Sequence, residues 1–181
     1  MTPDMNRAHQ ILAHHSLDQD YHCKSKTIGG GNCFWHAIVD QLTGDDNIKG
    51  TVSRRGRDIP LDHLTVRQRV VTFARRSTEV IGDDTVINFL KSLEEKEKKD
   101  NPPGRNMDTI WKNYLRKMSK PGEWATELII MATAIYFKKN IKVIKEDYVW
   151  IWEGGANSED PPMAVVNMND SHFQSVLRKL I

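Results

Sequence analysis

Apolar positions in this chain follow a helical spacing over most of its length and switch to strand-like runs after Asn140. Residues 6–16 carry a short helical pattern, and Tyr21 to Ile28 reads as an extended segment that Gly29-Gly30-Gly31 breaks. Helical spacing restarts at Cys33, with Phe34, Ala37, Ile38, Val39 and Leu42 on one side, and Thr43-Gly44 ends it. Mixed charge, Pro60 and several glycines predict a loop over residues 44–63.

Thr65-Val66-Arg67-Gln68 matches a capping box, and Val66, Val70, Phe73 and Ala74 form a buried stripe on the helix it would open. A further helix is predicted on Val86, Ile87, Leu90 and Leu93, ahead of a solvated charge run from Glu94 to Asp100. Pro102-Pro103-Gly104 interrupts the chain. Met107, Ile110, Trp111, Tyr114, Leu115 and Met118 then predict an amphipathic helix that Pro121-Gly122 stops. Glu123 to Lys138 is apolar around more than half its circumference, the pattern of a central helix. Ile141–Ile144, Tyr148–Trp152, Met163–Val166 and Phe173–Leu180 read as strands separated by turn residues. Helices first and a small sheet last predict an α+β fold, with residues 1–20 an N-terminal segment and 21–181 one domain.

Composition narrows the classes. The 181 residues suffice for one core, and 39% hydrophobic with 28% charged residues is ordinary for a globular chain. A net charge of +2 gives no field for nucleic-acid steering, so no nucleic-acid partner is expected. No run reaches the eighteen or so apolar residues of a membrane span, and no secretory signal pattern opens the chain, so no membrane association is expected. Two cysteines, Cys23 and Cys33, make no disulfide framework. They are expected as reduced thiols in the cytoplasm.

Cys33 carries the candidate chemistry. It stands at the start of a helix, where orphan amides and the positive dipole end lower a thiol pKa and so favour the nucleophilic thiolate. The glycines Gly29-Gly30-Gly31 let successive N–H groups converge on one site, as an oxyanion hole requires. On local sequence alone, a buried small hydrophobe in a tight loop explains the same residues. His172 follows the turn-like Asn169-Asp170-Ser171 and begins a strand, a placement that can aim a near-neutral base into a cleft. A metal site would need His14, His15 or His22 to join Cys23 and Cys33 at irregular spacing, so no metal or other cofactor is expected. A phosphate loop fails for want of a Gly-Lys-Ser or Gly-Lys-Thr sequence.

Three blocks, in order, resemble the ovarian-tumour (OTU) family of cysteine deubiquitinases. They are Gly31-Asn32-Cys33-Phe34-Trp35-His36-Ala37, then Gly122-Glu123-Trp124-Ala125-Thr126-Glu127-Leu128 running through Phe137 to Ile141-Lys142-Val143, then Asn169-Asp170-Ser171-His172-Phe173-Gln174-Ser175-Val176. Together they span about residues 21 to 180. The resemblance implies an OTU-like cysteine protease fold, a small, mostly antiparallel sheet flanked by helices, with 44–118 a mainly helical substrate-recognition region. It implies that Cys33 attacks the carbonyl of ubiquitin's terminal glycine, or that of a ubiquitin-like modifier, with His172 as base and then acid and the backbone amides of Gly30, Gly31 and Cys33 as oxyanion donors. It places Trp35 and Phe173 beside the channel for the modifier's tail; core packing is the alternative for both. A monomer binding ubiquitin or polyubiquitin is the expected partnership.

Two positions depart from the family pattern. Gly30 stands where an Asp is usual, and Gln174 stands two residues after the histidine in place of Asn or Asp. Strand alternation puts Gln174 on the His172 face, where its amide oxygen can accept from the imidazole and fix its tautomer. Asp170, Asn169, Asp18 and Asp20 are rival orienters, and a bare Cys-His pair is the remaining option. Loss of the carboxylate leaves two further readings open, a catalytically impaired ubiquitin-binding module and a different thiol acyl-transfer enzyme.

Overall fold

The helix with the least polar sequence occupies the centre of the fold. In the computed structural model, which describes residues 1–23, 26–43, 51–54, 57–77, 88, 107–155 and 160–179, the segment Glu127–Phe137 is helical and buried nearly all round. Thr126 is its N-cap and Lys138, at φ 51°, ends it in the left-handed conformation common after helices, so the helix is shorter at both ends than residues 123–138.

In chain order the elements are α1 (Pro3–His14), β1 (Tyr21–His22), α2 (Cys33–Thr43), β2 (Thr51–Arg54), β3 (Arg57–Pro60), α3 (His63–Arg76), α4 (Met107–Met118), α5 (Glu127–Phe137), β4 (Ile141–Ile144), β5 (Val149–Trp152), β6 (Met163–Met168), β7 (His172–Ser175) and β8 (Leu177–Arg178). The main sheet has the order β5-β4-β6-β7; β4 and β6 run parallel and the outer pairs are antiparallel. The fold is α+β, as expected.

Strand β6 is buried along its whole length because both faces of the sheet are covered. Met163 and Val165 point into the larger core with α2, α3 and α5, whereas Ala164, Val166 and Met168 point into a second core beneath α1. Ala8, Ile11 and Leu12 supply the α1 side of that second core. The N-terminal segment therefore seals one face of the sheet.

Two local expectations change. Residues 51–54 and 57–60, expected as part of a loop, pair as the antiparallel strands β2 and β3. The N-cap of α3 is Asp62, whose Oδ1 accepts from the Thr65 amide at 2.8 Å and whose Oδ2 accepts from the Thr65 hydroxyl at 2.6 Å. Thr65 is thus capped by Asp62 and does not open a box of its own. Apart from residue 88, which is helical, the helix expected on Val86 to Leu93, the charge run after it and much of the remaining 44–118 region lie outside the described residues. Among the described residues no helix is long and apolar enough to cross a membrane.

Candidate active site

The turn before α2 is shaped by two glycines with different reasons to be glycine. Gly30 has φ +90°, a backbone conformation that side chains disfavour. Gly31 lies against the carbonyl of Gly122, so that a Cβ there would sit 1.5 Å from the Gly122 oxygen. Asn32 precedes the first helical residue, yet its side chain turns away from the helix. Its Oδ1 accepts from the Gly122 amide at 2.8 Å and from Arg67 at 2.9 Å.

This turn places the Cys33 thiol against the β6–β7 connection. The Phe173 amide donates to Cys33 Sγ at 3.3 Å, and the thiol donates to the Ser171 carbonyl at 3.6 Å. Those two residues flank His172. Asn169 and Asp170, at φ 53° and 55°, make the tight turn that the Ser171 amide closes on the Met168 carbonyl at 3.1 Å; Asn and Asp tolerate such φ values better than most residues. The ring of His172 lies over the glycine turn, its Nδ1 about one van der Waals contact, 4.0 Å, from where a Gly29 Cβ would be. Its Nε2 is buried without a hydrogen-bond partner among the described residues.

Both members of the pair rest uncharged. Burial raises the Cys33 thiol above its usual 9.0, and the amides of Phe173, Phe34 and Cys33 itself oppose that shift without cancelling it. A thiol lowered by the helix N-terminus was the expectation; the 1% exposure of Cys33 outweighs the amide donors. Burial also lowers His172 below 6.5, assisted by Lys26 and opposed by Asp4 and Gln174.

Gln174 is fully buried beside this pair. Its Oε1 accepts from the Thr27 amide at 3.0 Å and its Nε2 donates to the Ser175 carbonyl at 3.0 Å, so the amide is held by backbone on both sides. It still lies close enough to His172 to favour the charged ring. Of the rival orienters, Asp170 points outward, with its side chain 81% exposed, and pairs with Lys145 at 2.7 Å. Asp18 and Asp20 lie at the β1–β8 end, where their carbonyls accept from Lys179. Asp4 of α1, in an ion pair with Lys26 at 3.3 Å, is the carboxylate that acts on His172. Nothing in the local pattern of residues 1–6 marks it, because the contact exists only once α1 packs on the sheet.

The expected oxyanion donors divide. The Cys33 amide donates to the Gly30 carbonyl at 3.0 Å while also facing its own Sγ, and the Phe34 amide faces the sulfur too. Phe34 was not among the residues expected there. Of the two aromatic residues for which a channel and the core are both open, Trp35 takes the core alternative: it is fully buried, edge-on to Phe34 and beneath the Arg67 guanidinium. Phe173 does line a cleft of about 900 Å³, whose other walls are residues 125–127 before and at the start of α5, Lys145, Tyr148, Trp150 and Trp152. One residue thus supplies a wall of the cleft and an amide to the thiol. Among the described residues no three His, Cys, Asp or Glu side chains gather in a way that could hold a metal ion.

Two residues that organise the site match no motif for that role. Thr27 accepts from the Ser175 amide at 2.9 Å besides holding Gln174, fastening the segment before the glycines to β7. Arg67 is fully buried and donates to both the Gly31 carbonyl and Asn32 Oδ1. Its position on α3 is four before Val71 and seven before Ala74, both buried, and that spacing is the signal that could have found it.

A family model described as OTU-like cysteine protease matches residues 28–167, a span that holds Cys33 and ends just before His172. No curated protein matches the chain closely enough to count as a relative. Among solved structures, the OTUD1 OTU domain superposes with a TM-score of 0.58 at 14% identity, covering 96% of this chain and 94% of that one. The viral OTU domain protease from Farallon virus gives 0.59 at 19% identity, covering 88% and 85%. The Hazara virus OTU, solved bound to ubiquitin, gives 0.53 at 12% identity, covering 90% and 84%. The shared fold and a match over more than half of its residues together establish that this chain belongs to the OTU-like cysteine protease family.

Proposed function

We propose that the chain is a thiol-dependent deubiquitinase that hydrolyses the isopeptide bond between the C-terminal glycine of ubiquitin, or of a ubiquitin-like modifier, and a lysine. The observation that carries this reading is the seating of the Cys33 thiol between the backbones of Ser171 and Phe173, on either side of His172, with Phe173 also walling the cleft. The family assignment supports it, as does the ubiquitin bound to the Hazara virus OTU.

His172 takes the thiol proton as Sγ attacks the glycine carbonyl, and the amides around Cys33, with Gly30 and Gly31, receive the developing oxyanion. The C–N bond then breaks as His172 returns the proton to the departing lysine amine. Water, deprotonated by the same ring, attacks the thioester, releasing the free carboxylate and restoring the thiol. Gln174 and Asp4 are the proposed influences on the ring, one by its amide and one by its charge. The 44–118 region is the proposed place of chain-type recognition, the cytoplasm the proposed compartment and the monomer the proposed working form.

The test is cleavage of isopeptide-linked diubiquitin by the full chain. Release of monomer that Cys33→Ala abolishes supports the reading. A second reading, a ubiquitin-binding module without turnover, is favoured by the raised thiol and by the Nε2 of His172, unpartnered among the described residues. It predicts binding of ubiquitin with no release from any chain type.

A further inference from the structure

We propose that Arg67 is a positioning residue that locks the turn bearing Cys33 to the segment that becomes the cleft wall. It touches neither the thiol nor, on this account, the substrate, and the inference rests on the reading of Cys33 as nucleophile.

Arg67 donates to five acceptors: the carbonyls of Met118, Lys120, Gly31 and Glu123, at 2.8, 2.8, 3.2 and 3.0 Å, and Asn32 Oδ1 at 2.9 Å. Gly31 and Asn32 immediately precede the nucleophile. Met118, Lys120 and Glu123 belong to the segment that leads directly into residues 125–127 of the cleft wall. Asn32 Oδ1 ties the same two segments again through the Gly122 amide, and Gly31 presses on the Gly122 carbonyl. A single guanidinium therefore fixes the separation between the sulfur and the wall that a bound tail would lie against.

Stability alone is a poor reason for this side chain. The guanidinium is fully buried, and four of its five acceptors are main-chain carbonyls; burying a charge in this way is often no better for stability than an apolar residue of similar volume. What an apolar residue cannot do is bind carbonyls of two separate segments at once, which the two Nη groups of Arg67 do. Lysine, a point charge on a flexible stem, cannot bind five acceptors at once. Since a displacement of about 1 Å at a reacting centre can cost on the order of 100-fold, the expected consequence is kinetic.

The experiment measures kcat and KM of the full chain on ubiquitin joined by an isopeptide bond to a fluorescent lysine peptide, at a temperature well below each variant's melting point. Arg67→Lys and Arg67→Met are expected to lower kcat by about 100-fold with KM within a few-fold of the parent, because the cleft surface beyond residues 125–127 is untouched. Gln68→Ala, which removes a bond from the same helix to the Ser119 carbonyl, is expected to leave both constants unchanged. Asn32→Asp keeps an oxygen for Arg67 and Gly122 and is expected to stay within about five-fold of the parent, whereas Asn32→Leu is expected to lose about 30-fold. Should the Arg67 variants fail to fold, the Asn32 pair decides. Folded Arg67 variants with parental kcat, or equal activity of Asn32→Leu and Asn32→Asp, overturn the proposal. If the parent turns over no conjugate, the deubiquitinase reading fails by itself, and hydrogen exchange then judges Arg67. In Arg67→Lys the amides of residues 31–34 and 120–124 are expected to lose protection together, and unchanged protection overturns the assignment.

Discussion

A neutral resting pair leaves a distinct signature in the pH dependence of Cys33 chemistry. Burial holds the thiol above its ordinary value and His172 below its own, so near neutral pH both groups are mostly uncharged. Alkylation of Cys33 by chloroacetamide should therefore rise with pH through an apparent pKa above 9, with no reactive plateau at neutral pH. Turnover needs one proton on the pair, so kcat/KM should climb through a pKa below 6.5, stay flat, and fall only above 9. Stability follows the same groups. An unfolded chain binds a proton at His172 more readily, so stability is lost as pH falls through the window below 6.5. It loses the Cys33 proton more readily, so stability also declines as pH rises past 9. Mass spectrometry of alkylation rates from pH 5 to 10, with Cys23 as the internal control at a pKa of about 11, reads the first of these directly. A thiolate plateau at Cys33 below pH 7 would refute the reasoning, since it would mean that the helix N-terminus and His172 overcome burial.

Other substitutions probe separate parts of the site. Gly31→Ala places a methyl 1.5 Å from the Gly122 oxygen, a backbone atom that cannot step aside, so the Cys33 turn must shift and kcat/KM on a ubiquitin substrate should fall at least about 100-fold; near-parental activity contradicts the packing argument. Leu12→Ala opens a cavity in the core under α1 and should cost about 3 kcal/mol in urea unfolding, whereas a dispensable N-terminal segment would lose almost nothing. Gln174→Ala strands the Thr27 amide, which should cost about 1–3 kcal/mol of stability, and it removes a group that raises His172, so the acid limb of the rate profile should move to lower pH. Asp4→Asn should move that limb in the same direction, by an amount that shrinks as salt is added, because the carboxylate is partly exposed.

How far the sequence reveals this protein depends on the range of the forces at each residue. The glycine turn, the Asn169-Asp170 turn and the helix α5 are local, set by positive φ or by an uninterrupted apolar run, and each lies where the pattern predicts. The strand pair β2–β3 is missed because charge and glycine there mimic a loop, and the α3 cap is missed because Thr65 and Asp62 both suit a helix start. Trp35 and Arg67 show the other limit. The pattern leaves Trp35 open between a channel and the core and marks Arg67 only as part of a helix start, yet the two stack on each other inside the core, an outcome decided by α2 meeting α3. The candidate pair itself was legible because Cys33 and His172 each sit in a short, distinctive turn. The charge acting on the histidine was not, since Asp4 reaches it only through the packing of α1.

The central claim is that Cys33, assisted by His172, is the acylated nucleophile of a deubiquitinase. Incubation of the full chain with ubiquitin bearing a C-terminal electrophile, followed by proteolysis and mass spectrometry of the product, tests it most directly. The account predicts one ubiquitin adduct, mapped to Cys33, absent in Cys33→Ala and slowed by orders of magnitude in His172→Ala. An adduct on Cys23, or none at all on folded protein whose Cys33 accepts small alkylators, would contradict it.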